Sequence, residues 1–110
     1  MIAVKQTSND EIVMEFIEKV TPEEIVNNSK DILNSTCKNV SIDCSKIYTL
    51  DHTILGKLYM LKLDLSIRHK SLVIKGCSKK ILGILRMMRF DNLVQIVPQS
   101  PSGRTDEAIR

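Results

Sequence analysis

The chain has 110 residues, of which 43% are hydrophobic and 26% charged, the balance of one folded domain that buries a core without metal or disulfide staples. Aromatics make up 4% with no Trp, and the net charge is +3 from 16 Lys and Arg against 13 Asp and Glu. This excludes a base-stacking platform and a phosphate-backbone binder, and is compatible with an acidic protein partner.

Ile2 to Thr7 reads as a short strand, Ser8, Asn9 and Asp10 as a turn, and Glu11 to Ile17 as a second strand with Ile12, Met14 and Phe16 on one face. Thr21, Pro22 and Glu24 open a helix as N-cap, first helical residue and capping-box partner. Ile25, Ser29, Ile32 and Leu33 carry its stripe to about Ser35, leaving Asn27, Asn28 and Lys30 on the exposed side. Val40 to Asp43 is a strand, which Ile47 to Leu50 extends or follows. After Asp51, His52 and Thr53 comes a helix in which Ile54, Leu58, Leu61 and Leu65 recur at spacings of four, three and four. Leu72, Val73 and Ile74 form an unbroken apolar run, which predicts a strand covered on both faces. Gly76 ends it and Ser78 caps a helix with Ile81, Ile84, Leu85 and Met88 as the buried stripe. Leu93 to Val97 is a last strand, closed by Pro98, and residues 98–110 read as a disordered tail behind a domain spanning 1–97.

The order β-β-α-β-α-β-α-β predicts an α/β fold with a mixed, largely parallel sheet. Ile42, Leu58, Ile74 and Leu85 are expected in its core. Functional groups in such sheets collect at the carboxyl ends of strands, which here directs attention to the loop from Tyr48 to Thr53.

No catalytic constellation is visible. Neither G-x-x-x-x-G-K-[ST] nor G-x-G-x-x-G occurs, so the chain reads as a binding protein with no cofactor. Cys37, Cys44 and Cys77 are an odd number without a C-x-x-C pair, which predicts neither a disulfide framework nor a metal site. With no signal peptide, the expected compartment is the cytoplasm. No apolar run approaches the roughly 20 residues of a membrane span; the nearest, Ile54 to Ile67, is broken by Lys57, Lys62 and Asp64. His69 reads as an exposed residue near a helix end, and Met87 as more exposed than Met88.

The stretches Asn39 to Asp43, Asp51 to Gly56, Leu72 to Gly76, Ile84-Leu85 and Phe90 to Leu93 together resemble the STAS domain, the family of the bacterial anti-sigma factor antagonists. The resemblance covers about residues 2–97. It implies the STAS fold and a partner that is an anti-sigma factor or serine/threonine switch kinase, any ATP belonging to that partner. The family motif is Asp-Ser-[Ser/Thr]-Gly-Leu-Gly, and its Ser is phosphorylated to release the partner. Here Asp51 and Gly56 are retained, His52 stands at the phosphorylated Ser, Thr53 at the next position and Ile54 at the first Gly. Three explanations stay open: constitutive binding, phosphorylation of Thr53 instead, or phosphohistidine at His52. The resemblance places partner binding on Asp51, His52, Thr53, Ile54 and Lys57, with the exposed side of the helix from Ser78 to Arg89. It also implies an alternative, since small STAS proteins sit on the ATPase of lipid-trafficking ABC transporters and need no phosphorylation there. The oligomeric state is open.

Overall fold

A computed structural model describes residues 1–99. Strands β1 (Ile2–Gln6) and β2 (Glu11–Ile17) form a hairpin, followed by α1 (Pro22–Asn34), β3 (Asn39–Lys46), α2 (His52–Ile67), β4 (Ser71–Cys77), α3 (Lys79–Met87) and β5 (Gln95–Pro98). The five strands lie in the order β1-β2-β3-β4-β5. Only the hairpin is antiparallel, and β2 to β5 run parallel.

The local chemistry explains the element ends. The Thr21 hydroxyl accepts from the Glu24 amide at 3.2 Å while the Glu24 carboxylate accepts from the Thr21 amide at 3.0 Å, so two of the helix's orphan donors are satisfied. Ser78 caps α3 by accepting from the Ile81 amide at 3.2 Å. At the far end of α2, His69 takes φ 59° and its amide donates to the Ser66 carbonyl. It fills the left-handed position that glycine usually occupies after a helix.

Strand register puts Met14 beside Ile42, Ile42 beside Ile74 and Ile74 beside Ile96. This row meets Ile25, Ile32, Leu58, Leu65, Ile81 and Leu85 in one buried core. Each crossover steps in the same direction along the sheet, so right-handed connections place all three helices on that one face. The alternate row has a different character. It runs Lys5, Val13, Ser41, Val73, Gln95 and lies outside the core cluster.

The apolar run Leu72-Val73-Ile74 is therefore not covered on both faces. Leu72 and Ile74 are buried, but Val73 is only half-buried. Charged neighbours make the open face compatible with water. Glu15 accepts ion pairs from Lys5 at 3.3 Å and Lys46 at 3.5 Å. Glu11 accepts from the hydroxyls of Thr7 at 2.6 Å and Ser41 at 3.2 Å.

These contacts set an acid dependence. The Thr7 and then the Ser41 hydrogen bonds hold the Glu11 carboxyl below its ordinary 4.5, and Lys5 does the same for Glu15. A folded-state pKa below the unfolded one stabilises the fold above the unfolded value and is lost as pH falls through the folded value. The melting temperature should therefore fall as the pH is taken below about 4.5. Glu11→Gln should flatten that fall, and a variant with the wild-type acid slope would contradict the assignment.

Gly76 has φ +71°, and a Cβ there would lie 2.7 Å from Asp43 Oδ1 and 3.1 Å from the Ser45 amide nitrogen. Asp43 Oδ1 cannot easily retreat, because it accepts from that amide at 2.9 Å. Gly76→Ala should destabilise by about 1–3 kcal/mol, the left-handed strain and overpacking outweighing the entropy that Ala removes from the unfolded chain. An unchanged denaturation midpoint would show that β3 and β4 separate freely at this end.

The carboxyl-terminal part differs from its sequence reading. Helix α3 stops at Met87, Met88 is its exposed cap at 39% accessibility, and Arg89 turns left-handed at φ 62°. The chain then drops through a 3-10 turn, Phe90–Asn92, and Phe90 fills the core position expected of Met88. Strand β5 starts at Gln95 for the same reason, since the Leu93 and Val94 amides are engaged by the Phe90 carbonyl. Pro98 belongs to β5, and the Gln99 amide donates to the Cys77 carbonyl at 2.8 Å. The remainder of the expected tail lies outside the described residues.

Candidate functional site

The carboxyl ends of β2 and β3 open side by side, and the loops that leave them form one surface. Asp51 is extended at φ −99° and ψ 173°, and its Oδ1 accepts from the Ile54 amide at 2.9 Å. The Leu55 amide donates to the Asp51 carbonyl at 3.0 Å. Asp51 is thus the N-cap of α2, and its carboxylate is committed to the helix's own first turn.

His52 and Thr53 are the first two residues of α2, and both are exposed, as is Lys57 one turn on. Ile54 is placed differently. It is 3% accessible and belongs to the core, so it supports the surface from beneath. A β-branched side chain fits there because it points toward the sheet. At Gly56 a Cβ would meet nothing within 4 Å.

Two neighbours escaped the sequence reading. Glu18 and Lys19, just after β2, line a cleft with Thr49, Leu50, Asp51 and Ile54. Glu18 holds φ 56° while its amide donates to the Lys46 carbonyl at 3.1 Å. The rule that directed attention to the end of β3 applies equally to the end of β2, its parallel neighbour, and would have found them. Tyr48 is 84% accessible in the loop leading to Asp51. An aromatic ring this exposed is suited to anchoring a partner.

The exposed side of α3 adds Lys79, Lys80, Arg86 and Met87. Lys79 and Lys80 lie in its first turn, next to the carboxyl end of β4, while Arg86 and Met87, the latter 80% accessible, lie at its far end. Among the described residues no group of His, Cys, Asp and Glu could hold a metal ion. All three cysteines are buried and unpaired. Hydrogen bonding with Cys77 and then burial push the Cys44 thiol up, so it stays protonated and behaves as a small apolar side chain. No helix among the described residues is long and apolar enough to cross a membrane.

A mostly parallel sheet with an antiparallel edge hairpin and helices on one face defines a single-sheet α/β domain. Residues 18–97, well over half the chain, match the family model described as "Mlab, STAS domain", and the chain belongs to the STAS family. The anti-sigma factor antagonist SpoIIAA in its unphosphorylated form shares the fold with a TM-score of 0.76 at 8% identity, covering 93% of this chain and 90% of that one. Bacillus SpoIIAA in the phosphorylated form gives a TM-score of 0.70 at 7% identity, covering 93% and 94%. Moorella thermoacetica RsbS carrying a serine-to-glutamate substitution gives a TM-score of 0.70 at 15% identity, covering 92% and 88%. No curated protein sequence matches the chain.

Proposed function

We propose that this STAS domain is a regulatory module of the anti-sigma factor antagonist kind, acting in the cytoplasm. It binds an anti-sigma factor or switch kinase through Asp51, His52, Thr53 and Lys57, bordered by the exposed side of α3. The observation that carries the reading is the exposed first turn of α2, capped by Asp51 at the carboxyl end of β3. His52 stands where the family has its phosphorylatable serine. The residue offers no hydroxyl, so partner binding is constitutive with respect to serine phosphorylation at that position.

One observation favours a second reading. The matching family model is described by the name Mlab, and the small STAS subunits of lipid-trafficking ABC transporters bind an ATPase without a phosphorylation switch. Both readings use the same surface and differ in the partner. Affinity capture of the full chain from its native cell, with mass spectrometry of the bound proteins, separates them. An anti-sigma factor or kinase supports the first, and a transporter ATPase supports the second. Capture of neither by the wild-type chain, or equal capture by a variant with Lys57→Glu and Tyr48→Ala, would remove the case for this surface. After incubation with ATP and the captured kinase, a stoichiometric phosphate on Thr53 with loss of the complex would move the switch one residue along.

A further inference from the structure

Helix α2 carries two apolar stripes, and the fold uses one. Ile54, Leu58, Leu61 and Leu65 are buried against the sheet. Gly56, Met60, Leu63 and Ile67 repeat the same spacing of four, three and four on the opposite side, with Tyr59 beside them. This second stripe faces away from the sheet: Met60 is 55% accessible and Ile67 76%. A helix at the surface of a lone domain normally turns charged residues outward, and a contiguous apolar patch there marks an interface.

We propose that the outer face of α2 is a self-association surface, on which a second copy of this chain docks its own α2 antiparallel about a two-fold axis. Three features select a second copy. The spacing of the outer stripe is that of a coiled-coil seam, in which two such helices interdigitate. An antiparallel pairing sets Met60 against Leu63 of the other copy and Gly56 against Ile67, so the smallest residue of the stripe receives its most exposed large one. The fold itself gives no reason for the glycine: a Cβ at Gly56 meets nothing within 4 Å, and glycine is a poor helix former.

The third feature is charge. Lys57 and Asp64 lie seven residues apart on the same flank of the seam, beside Met60. Among the described residues neither has an ion-pair partner within the chain. Antiparallel docking brings Lys57 of each copy to Asp64 of the other, so the two-fold repeats the pair. A parallel arrangement would leave both without a partner. An isologous interface of this kind is closed, and assembly stops at the dimer. It extends beyond the proposed partner surface and shares Lys57 with it, one turn into α2.

Sedimentation equilibrium of the full chain tests this. A concentration-dependent dimer of the 12.5 kDa chain is expected. Leu63→Lys should weaken it at least about tenfold while leaving thermal unfolding of the monomer unchanged. Lys57→Asp should weaken it by opposing like charges, and the double variant Lys57→Asp with Asp64→Lys should restore it. That rescue keeps the idea falsifiable if Leu63→Lys folds poorly, because both charges are exposed. A chain that stays monomeric, or a dimer indifferent to Leu63→Lys, overturns the proposal, as does failure of the double variant to recover. A monomer that loses its captured protein partner on Leu63→Lys assigns the face to that partner, and likewise overturns it.

Discussion

Leu58→Ala and Ile74→Ala should each destabilise the fold by about 2–5 kcal/mol. Both side chains are fully buried at 0% accessibility. Leu58 is the middle of the buried stripe of α2, and Ile74 sits in the row between Ile42 and Ile96. They meet in the same core cluster, where truncation removes transfer free energy and leaves a cavity that a five-stranded sheet cannot close by shifting one strand. A domain of this size is held by about 5–15 kcal/mol in total. Either change should therefore lower the melting temperature by roughly 10 °C or more, at about 4–8 °C per kcal/mol. The exposed Lys30→Ala is the control and should stay within about 0.5 kcal/mol of wild type. Melts of Leu58→Ala and Ile74→Ala that overlay the wild type would contradict the core assignment.

Much of this core was legible because the helices and strands obey their own periods. Ile54, Leu58, Leu61 and Leu65 can share a face only if the backbone repeats every 3.6 residues, while Ile12, Met14 and Phe16 can do so only if it repeats every two. Ile42, Leu58, Ile74 and Leu85 are all buried, as expected, and Asn27 and Lys30 are exposed. Asn28 is half-buried because its side chain folds back to donate to the Glu24 carbonyl at 2.7 Å, a local bond that periodicity does not report. Val73 misled for a related reason. A valine between two core residues looks like a doubly covered strand, but the covering depends on which side each crossover takes. That is a property of strand order, set by contacts between residues far apart in the chain. Met88 misled because the helical stripe continues in the sequence past the point where Arg89 turns the backbone.

The candidate site was legible in outline through Asp51, whose capping role follows from its type and place, and through the strand-end rule. Its inward and outward residues were not. Ile54 and Lys57 are neighbours on the helix surface, about 60° apart, and only the orientation of α2 on the sheet sets the boundary that buries one and exposes the other. Glu18 and Lys19 enter the site through the pairing of β2 with β3, a non-local event invisible in a run of ten residues.

His52→Asp should weaken the proposed partner complex by about 2 kcal/mol or more, roughly 30-fold in Kd, while leaving the fold almost unaffected. Within the domain the new carboxylate would lie at the first position of α2, where the helix dipole favours an anion by about 0.3–1 kcal/mol. The adjacent Asp51 carboxylate opposes it, but Asp51 is turned into its bond with the Ile54 amide, and position 52 is exposed. The two effects are of similar size, so the melting temperature should barely move. At the interface the balance changes. A carboxylate at position 52 would be an unpaired charge in a contact from which water has been displaced, where a like-charge juxtaposition costs several kcal/mol. His52→Asn separates charge from shape: it removes the ring without adding a charge, and should cost the complex far less than His52→Asp. Equal weakening by the two variants would show that His52 contributes packing alone. Unchanged binding by His52→Asp, with the captured partner titrated against the folded chain, would place the contact surface away from the first turn of α2.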